Sequence, residues 1–340
     1  MEKKNIALLI GIRYMGTSAQ LNGCHNDIEK IKGVLKTHYN YDDKNIVMLM
    51  DKSGHIQPTA KNIINQLNSI YLQSKKGLIN EIYVHYSGHG TNVVDRNGDE
   101  TDGRDECIVP VDYAKSGLIT DDLIYRFLSV LKPVGKITWV FDSCNSASCS
   151  DLPYSFTVNK SNNQLVKQNL SKRKAIANNK NIFILSGCLD AKVSWDVRDA
   201  DGIAGGLLTI CLVKTLKEYN YTCTIKQLLT NIQKLFGSHD QNPVLSVNSN
   251  NYGQNTICFE KTTQLAQPTQ PTQPTQPTQP TQPTQSQLDK IKQQNLKINA
   301  LSKEFNGFVN RSKTSTLKQF DKEKKLFALK LNNISTDLIK

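Results

Sequence analysis

Short apolar runs recur along the first 260 or so residues, most of them followed by a stretch with helical spacing. This alternation constrains the fold more than any other feature of the chain. NIALLIGI (5–12), NIVMLM (45–50), EIYVHYS (81–87), KITWVFD (136–142), NIFILSG (181–187) and TICFE (256–260) read as strands. Between them, 25–37 reads as a helix that places Ile28, Ile31, Val34 and Leu35 on one face. Residues 58–72 predict a second helix, with Pro58 near its first turn. Residues 120–131 predict a third, opened by the capping pattern Thr120-Asp121-Asp122, and 204–216 and 224–236 predict two more. Strands that are apolar throughout must be covered on both faces, and the intervening helices supply that cover. The pattern therefore predicts an α/β fold around a mainly parallel sheet. In open sheets of this kind, ligands bind beyond the carboxyl ends of the strands.

Two of the runs end in reactive chemistry. EIYV leads into HYSGHG (85–90), and ITWVF leads into DSCNS (142–146). His89 and Cys144, 55 residues apart, both follow strand ends in Gly/Ser/Asp contexts that read as loops. A thiol is a weak nucleophile at neutral pH and a thiolate a strong one, so Cys144 needs a base or an imidazolium beside it. His89, flanked by Gly88 and Gly90, is the candidate. An oxyanion formed at the attacked carbonyl needs N–H donors, which the main chain of Gly90 and of Cys144 can supply. Cys149 is a lesser rival nucleophile because it lacks the strand-end position. His85 lies inside its strand and reads as structural, and His25 and His239 read as isolated.

The chain has 340 residues and a formal net charge of +12. Residues 286–340 hold 12 Lys/Arg against 5 Asp/Glu, or +7, which leaves +5 for the rest. A weakly basic helix surface accounts for that excess, so nucleic-acid and membrane binding are disfavoured. Eight cysteines lie mostly in apolar runs without a CxxC pair or a secretory spacing, which fits free thiols in a reducing compartment. The first residues, MEKKNIALLIGIRY, hold too short an apolar run for a signal peptide, and no stretch reaches membrane length. A soluble, intracellular, cytoplasmic protein is expected.

Composition divides the chain in three. Residues 1–262 carry the α/β pattern and can bury a sizeable core. Residues 263–286 contain six QPT repeats (267–284), where proline at every third position favours polyproline II and excludes helix. Eighteen such residues span roughly 55 Å when extended, so the segment reads as a semi-rigid spacer. Residues 287–340 show helical spacing at Leu288, Ile291, Ile298, Leu301, Phe305 and Phe308, and again from Leu317 to Leu338. Two basic amphipathic helices follow, either a small satellite pair or a means of self-association.

The paired motifs resemble those of the metacaspases, of the kind without a long linker between the large and small catalytic segments. HYSGHG (85–90) and DSCNS (142–146) carry the resemblance. GCHND (23–27), DECIVPVD (105–112), ITDDL (119–123), DLPY (151–154), ILSGCLD (184–190) and NPVLS (242–246) extend it over about 5–260. It implies a caspase-like three-layer fold and a cysteine endopeptidase cleaving protein or peptide substrates after Arg or Lys. Matched by motif, the basic side chain would meet Asp27, Ser87 and Asp142, carboxylates being suited to guanidinium or ammonium. It also implies calcium stimulation through Asp105, Asp121, Asp122 and Asp151, all hard oxygen donors, and no zinc or organic cofactor. The acidic run 95–106 is not read as an EF-hand, because Glu100 stands where that loop needs Gly. Lys167, Lys172, Arg173 and Lys174 mark either a surface hairpin or a site of self-cleavage. The chain departs from the family pattern at Asn145, where His is common, and at Ala147, where Gly is. A catalytically weak scaffold acting through the C-terminal helices is the alternative, and intact His89 and Cys144 argue against it.

Overall fold

The structure is a computed structural model. It describes residues 3–95, 103–143, 152–169, 175–189, 196–199, 201–237, 239 and 241–262. Cys144, Cys149, Asp151, the Lys172–Lys174 cluster, the QPT spacer and the C-terminal segment lie outside the described residues. The chain divides into two units, Met1–Thr262 and Thr263–Lys340, and the description below concerns the first.

The predicted alternation is what forms. Strand β1 (Lys4–Gly11) leads to helix α1 (Cys24–His38), β2 (Ile46–Met50), α2 (Ala60–Lys75) and β3 (Ile79–Ser87). A small antiparallel sheet follows, built from β4 (Gly90–Val94), β5 (Arg104–Ile108) and β6 (Ile119–Thr120), with the short α3 (Tyr113–Ser116) between the last two. Next come α4 (Asp121–Val130), β7 (Lys136–Asp142), the hairpin β8 (Tyr154–Asn159) and β9 (Gln164–Gln168), and β10 (Ile182–Leu189). The ribbon β11 (Asp196–Arg198) and β12 (Ala204–Gly206) precedes α5 (Leu207–Glu218), β13 (Cys223–Thr224), α6 (Ile225–Phe236), β14 (Gln241–Val247) and β15 (Ile257–Phe259).

Among the described residues the main sheet has eight strands in the order β2-β1-β3-β7-β10-β14-β8-β9. The first five are parallel and the last three join antiparallel. Because side chains alternate along a strand, parity decides which face each one joins. Tyr83, Val140, Phe183, Leu185 and Leu245 share a core with Ile28, Ile31 and Leu35 of α1, Leu208 and Leu212 of α5, and Leu228, Ile232 and Phe236 of α6. On the opposite face Trp139 meets Phe127 of α4 edge-on at 6.2 Å, and α2 lies against α4. These are the three layers that the resemblance implies.

Four local expectations are corrected. Ala204–Gly206 is a strand, not the start of a helix, and α5 begins at Leu207. TICFE does not enter the main sheet; β15 pairs with β13 in a ribbon. Pro58 lies outside α2, whose cap is Thr59, its side chain accepting from the Asn62 N–H. The Thr120 side chain does not cap α4; Asp121 accepts the Asp122 N–H instead, at 2.8 Å. The capping box of α6 does form, with Thr224 and Gln227 each accepting the other's N–H.

Phe236 ends α6 with no exposed surface. Phe236→Ala is expected to cost about 3–5 kcal/mol through the cavity it leaves, read as a lower urea midpoint with an unchanged slope.

Candidate active site

Parity and register bring the site together. Tyr83, His85 and Ser87 alternate onto the α1/α5 face of β3, as Thr138, Val140 and Asp142 do on β7. The two strands are paired so that Ser87 stands opposite Asp142 at their carboxyl ends. Where they part, the Gly88 N–H donates to the Asp142 carbonyl at 3.3 Å. The chain therefore leaves β3 towards His89 and leaves β7 at Ser143 from neighbouring points.

Asp27, in the first turn of α1, is buried completely. Its carboxylate accepts from the Ser87 hydroxyl at 2.7 Å and from the Gly206 N–H at 3.0 Å to each oxygen. Asp142 accepts from the Thr209 N–H at 2.8 Å and the Thr209 hydroxyl at 2.5 Å. Behind Thr209, its oxygen lies 3.0 Å from His85 Nε2. Since the Thr209 proton goes to Asp142, His85 must donate from Nε2. Burial pushes the His85 imidazole down to about 3, so this buried link stays neutral. Sequence reasoning thus assigns His85 a structural place correctly but finds neither Thr209 nor Gly206, because both are remote in the chain.

The two carboxylates are held mainly by neutral donors, and they raise each other's cost. Burial pushes the Asp27 carboxyl up to about 8, with Asp142 adding to the rise and its hydrogen bonds opposing it. Burial raises Asp142 as well, against the bonds from Thr209. Two acids held in this way gain when a cation arrives. Gly206 is needed for this arrangement. A β-carbon there would stand 2.1 Å from Asp142 Oδ2.

His89 is partly buried just past the end of β3, before β4 begins at Gly90. Its Nε2 lies 2.7 Å from the Ala19 carbonyl. A carbonyl only accepts, so that nitrogen carries the proton and leaves Nδ1 as the basic one. The ring packs on Tyr14 at 4.7 Å between centroids, tilted by 38°. The His89 N–H donates to the Tyr14 oxygen at 3.0 Å. His25 is not isolated: its Nε2 pairs with Asp51 at 2.7 Å. Asp51 also accepts the N–H groups of Arg13 and Met15. Burial works against ionisation of Asp51, yet the bonds from His25, Arg13 and Met15 hold it below the usual carboxylate range.

The acids of the expected metal site cluster only in part. Asp105 and Asp121 are buried and Asp122 partly so. Asp121 accepts the Glu106 N–H at 3.0 Å, while Asp122 pairs with Arg126 at 3.3 Å within α4. Burial first, and then Glu106, push the Asp121 carboxyl up to about 10. Among the described residues, no group of three or more His, Cys, Asp or Glu side chains is arranged to hold a metal, and Asp151 lies outside them. No described helix is long and apolar enough to cross a membrane.

An open α/β sheet with a histidine and the acids Asp27 and Asp142 gathered at its carboxyl edge defines the general class. The particular family comes from comparison. Residues 3–153 match the family model for the metacaspase, peptidase C14 domain. Metacaspase-1 of Plasmodium falciparum is 34% identical over 74% of this chain and 41% of its own length. Metacaspase-1 of Botryotinia fuckeliana is 33% identical over 70% and 54%, and metacaspase-1A of Neurospora crassa 36% over 60% and 42%. Residues 3–153 thus carry a metacaspase, peptidase C14 domain, and the chain spans about half the length of these relatives. Among solved structures, caspase-1 from Spodoptera frugiperda aligns with a TM-score of 0.43 and 13% identity, covering 73% of this chain and 87% of that one.

Gly206→Ala is expected to force β12 or the Asp142 carboxylate to move, destabilising the fold by about 1–3 kcal/mol. A thermal or urea midpoint equal to that of the unaltered protein would contradict this packing.

Proposed function

We propose that the protein is a cysteine endopeptidase that cleaves peptide bonds after Arg or Lys. The observation that carries the reading is the pair of acids, Asp27 fully buried and Asp142 half-buried, placed at the same sheet edge as the His89 loop. A guanidinium or ammonium entering there replaces protons with a charge partner for both acids. Ser87, which already donates to Asp27, holds that carboxylate in place.

In the proposed reaction the Cys144 thiolate adds to the scissile carbonyl carbon, and the carbonyl electrons move to oxygen. The N–H groups of Gly90 and Cys144 stabilise that oxyanion. Collapse breaks the C–N bond, and His89 gives its Nδ1 proton to the leaving amine. Water then attacks the thioester, His89 takes a proton from it, and the acid product leaves with Cys144 again a thiolate. Asn145, beside the nucleophile, departs from the family pattern but removes no member of this pair.

We propose further that Ca²⁺ is held by Asp105, Asp121, Asp122 and Asp151. The donor chemistry fits: all are hard oxygen ligands, and burial leaves Asp121 short of positive charge. An ion held by these residues would supply neutralising positive charge to the buried Asp105 and Asp121. Asp122 would have to release Arg126 to take part.

With millimolar Ca²⁺, fluorogenic peptides ending in Arg or Lys are expected to be cleaved and their Asp counterpart not. Chelation should lower the rate. Cys144→Ala should lower it by about 10³-fold or more. Absence of any Cys144-dependent turnover, with or without the ion, refutes the enzyme reading.

The acid pair also sets a pH dependence. Below about 8 burial keeps a proton on Asp27 in the unliganded chain, which a basic side chain must expel. KM for an Arg peptide should therefore fall as pH rises towards 8 and level off above it, and Asp27→Asn should abolish that slope while raising KM. The same sign governs folding. The folded chain holds a proton on Asp27 that the unfolded chain releases near the ordinary carboxylate range. Unliganded stability should thus decline as pH rises from there through about 8, as thermal midpoints across that range would record.

A further inference from the structure

We infer that Tyr14 is a positioning residue for His89, holding its main chain and its ring in the orientation that the proposed dyad needs. The inference rests on the reading of His89 and Cys144 given above. Four polar groups converge behind His89. The Tyr14 hydroxyl accepts the His89 N–H at 3.0 Å and donates to the Val109 carbonyl at 2.7 Å. The Tyr86 hydroxyl donates to the His89 carbonyl at 2.6 Å and accepts the Val109 N–H at 3.2 Å. The two hydroxyls also lie 3.1 Å from each other, and between them the N–H and the carbonyl of His89 are each held by a side chain rather than by a sheet ladder.

The ring is held as well. Tyr14 packs against the imidazole, and five residues further along the same loop the Ala19 carbonyl takes the Nε2 proton. One loop therefore supplies the ring partner, the acceptor for the main-chain N–H and the acceptor that selects the tautomer. Three observations mark Tyr14 as built for this place. Its φ is +52°, in the left-handed region that a side chain of its size rarely occupies. Residues on either side of it, Arg13 and Met15, donate their N–H groups to Asp51, which is itself fixed by His25. Gly88 is packed so closely that a β-carbon would stand 2.7 Å from the Tyr86 oxygen and 3.2 Å from that of Tyr14. The glycine before the histidine thus serves the two tyrosine hydroxyls, which explains its presence in HYSGHG better than loop flexibility does.

Burial raises both phenols far above their ordinary range, so they stay protonated at every pH at which the enzyme would work. The clamp holds geometry and takes no part in proton transfer. Nothing joins Tyr14 to Asp27 or Asp142 directly, so its loss should act on turnover and leave substrate binding alone.

The test uses the full chain with Ca²⁺ and an Arg fluorogenic peptide. Tyr14→Phe, which keeps the ring, is expected to lower kcat about 10-fold, and Tyr14→Leu about 100-fold, with KM within two-fold in both. The pH midpoint for iodoacetamide alkylation of Cys144, read by mass spectrometry of its peptide, should move upward because the imidazolium is less well placed beside the thiol. A kcat within two-fold of the unaltered enzyme together with an unmoved alkylation midpoint overturns the inference, as does a rise in KM alone. Should Tyr14→Leu fail to fold, Tyr14→Phe decides. His89→Ala separates the two layers of argument. If it leaves turnover intact, the dyad reading fails; if it abolishes turnover while Tyr14→Phe does not affect it, only the role of Tyr14 fails.

Discussion

The parallel pairing of β3 with β7 is the constraint on which the rest of the site depends. It sets Ser87 against Asp142, so that the chain leaves β3 towards His89 and leaves β7 at Ser143 from neighbouring points. A shift of one residue would turn Ser87 and Asp142 to the opposite face, away from Asp27 and Thr209. Register of this kind is well specified because both faces of the two strands are buried. Slippage would also expel Tyr83, Val140 and Trp139 from their packed layers.

The cost of the site is concentrated in two acids. Asp27 is withdrawn from water completely and Asp142 in part, and the fold offsets this mostly with neutral hydrogen bonds: Ser87 and Gly206 for one, Thr209 for the other. That choice leaves the pair electrostatically unfulfilled, which is what a binding site for a cation requires. It also explains why the approach of β12 is so close. Main-chain N–H groups reach a carboxylate without adding charge, and only glycine lets the chain come near enough at 206.

Much of the layout was legible in the sequence. Six apolar runs mark strands of the right type, and five of them form the parallel part of the main sheet, because continuous apolar runs bounded by turns fit only a doubly covered sheet. The dyad candidates His89 and Cys144 stand out for the same reason, a strand end in a Gly/Ser context. The misses have a common origin. Ala204–Gly206 continues an apolar pattern that suits a helix, but its pairing with β11 and its contact with Asp27 favour an extended backbone. TICFE has the composition of a core strand, yet its partner is β13, outside the main sheet. His25 looks isolated because Asp51, its partner, is 26 residues away.

What the sequence by itself determined was the alternation of strand and helix, the sheet's parallel core and the identity of the groups able to do chemistry. These follow from local periodicity and from the few residue types that can ionise or act as nucleophiles. Tertiary structure alone decided which acids meet, that Thr209 and His85 support Asp142, and that a loop after β1 clamps His89 through Tyr14 and Ala19. Those contacts join residues tens to nearly two hundred positions apart. Their formation depends on strand register, side-chain parity and the close approach of main chain, none of which is written in any single segment.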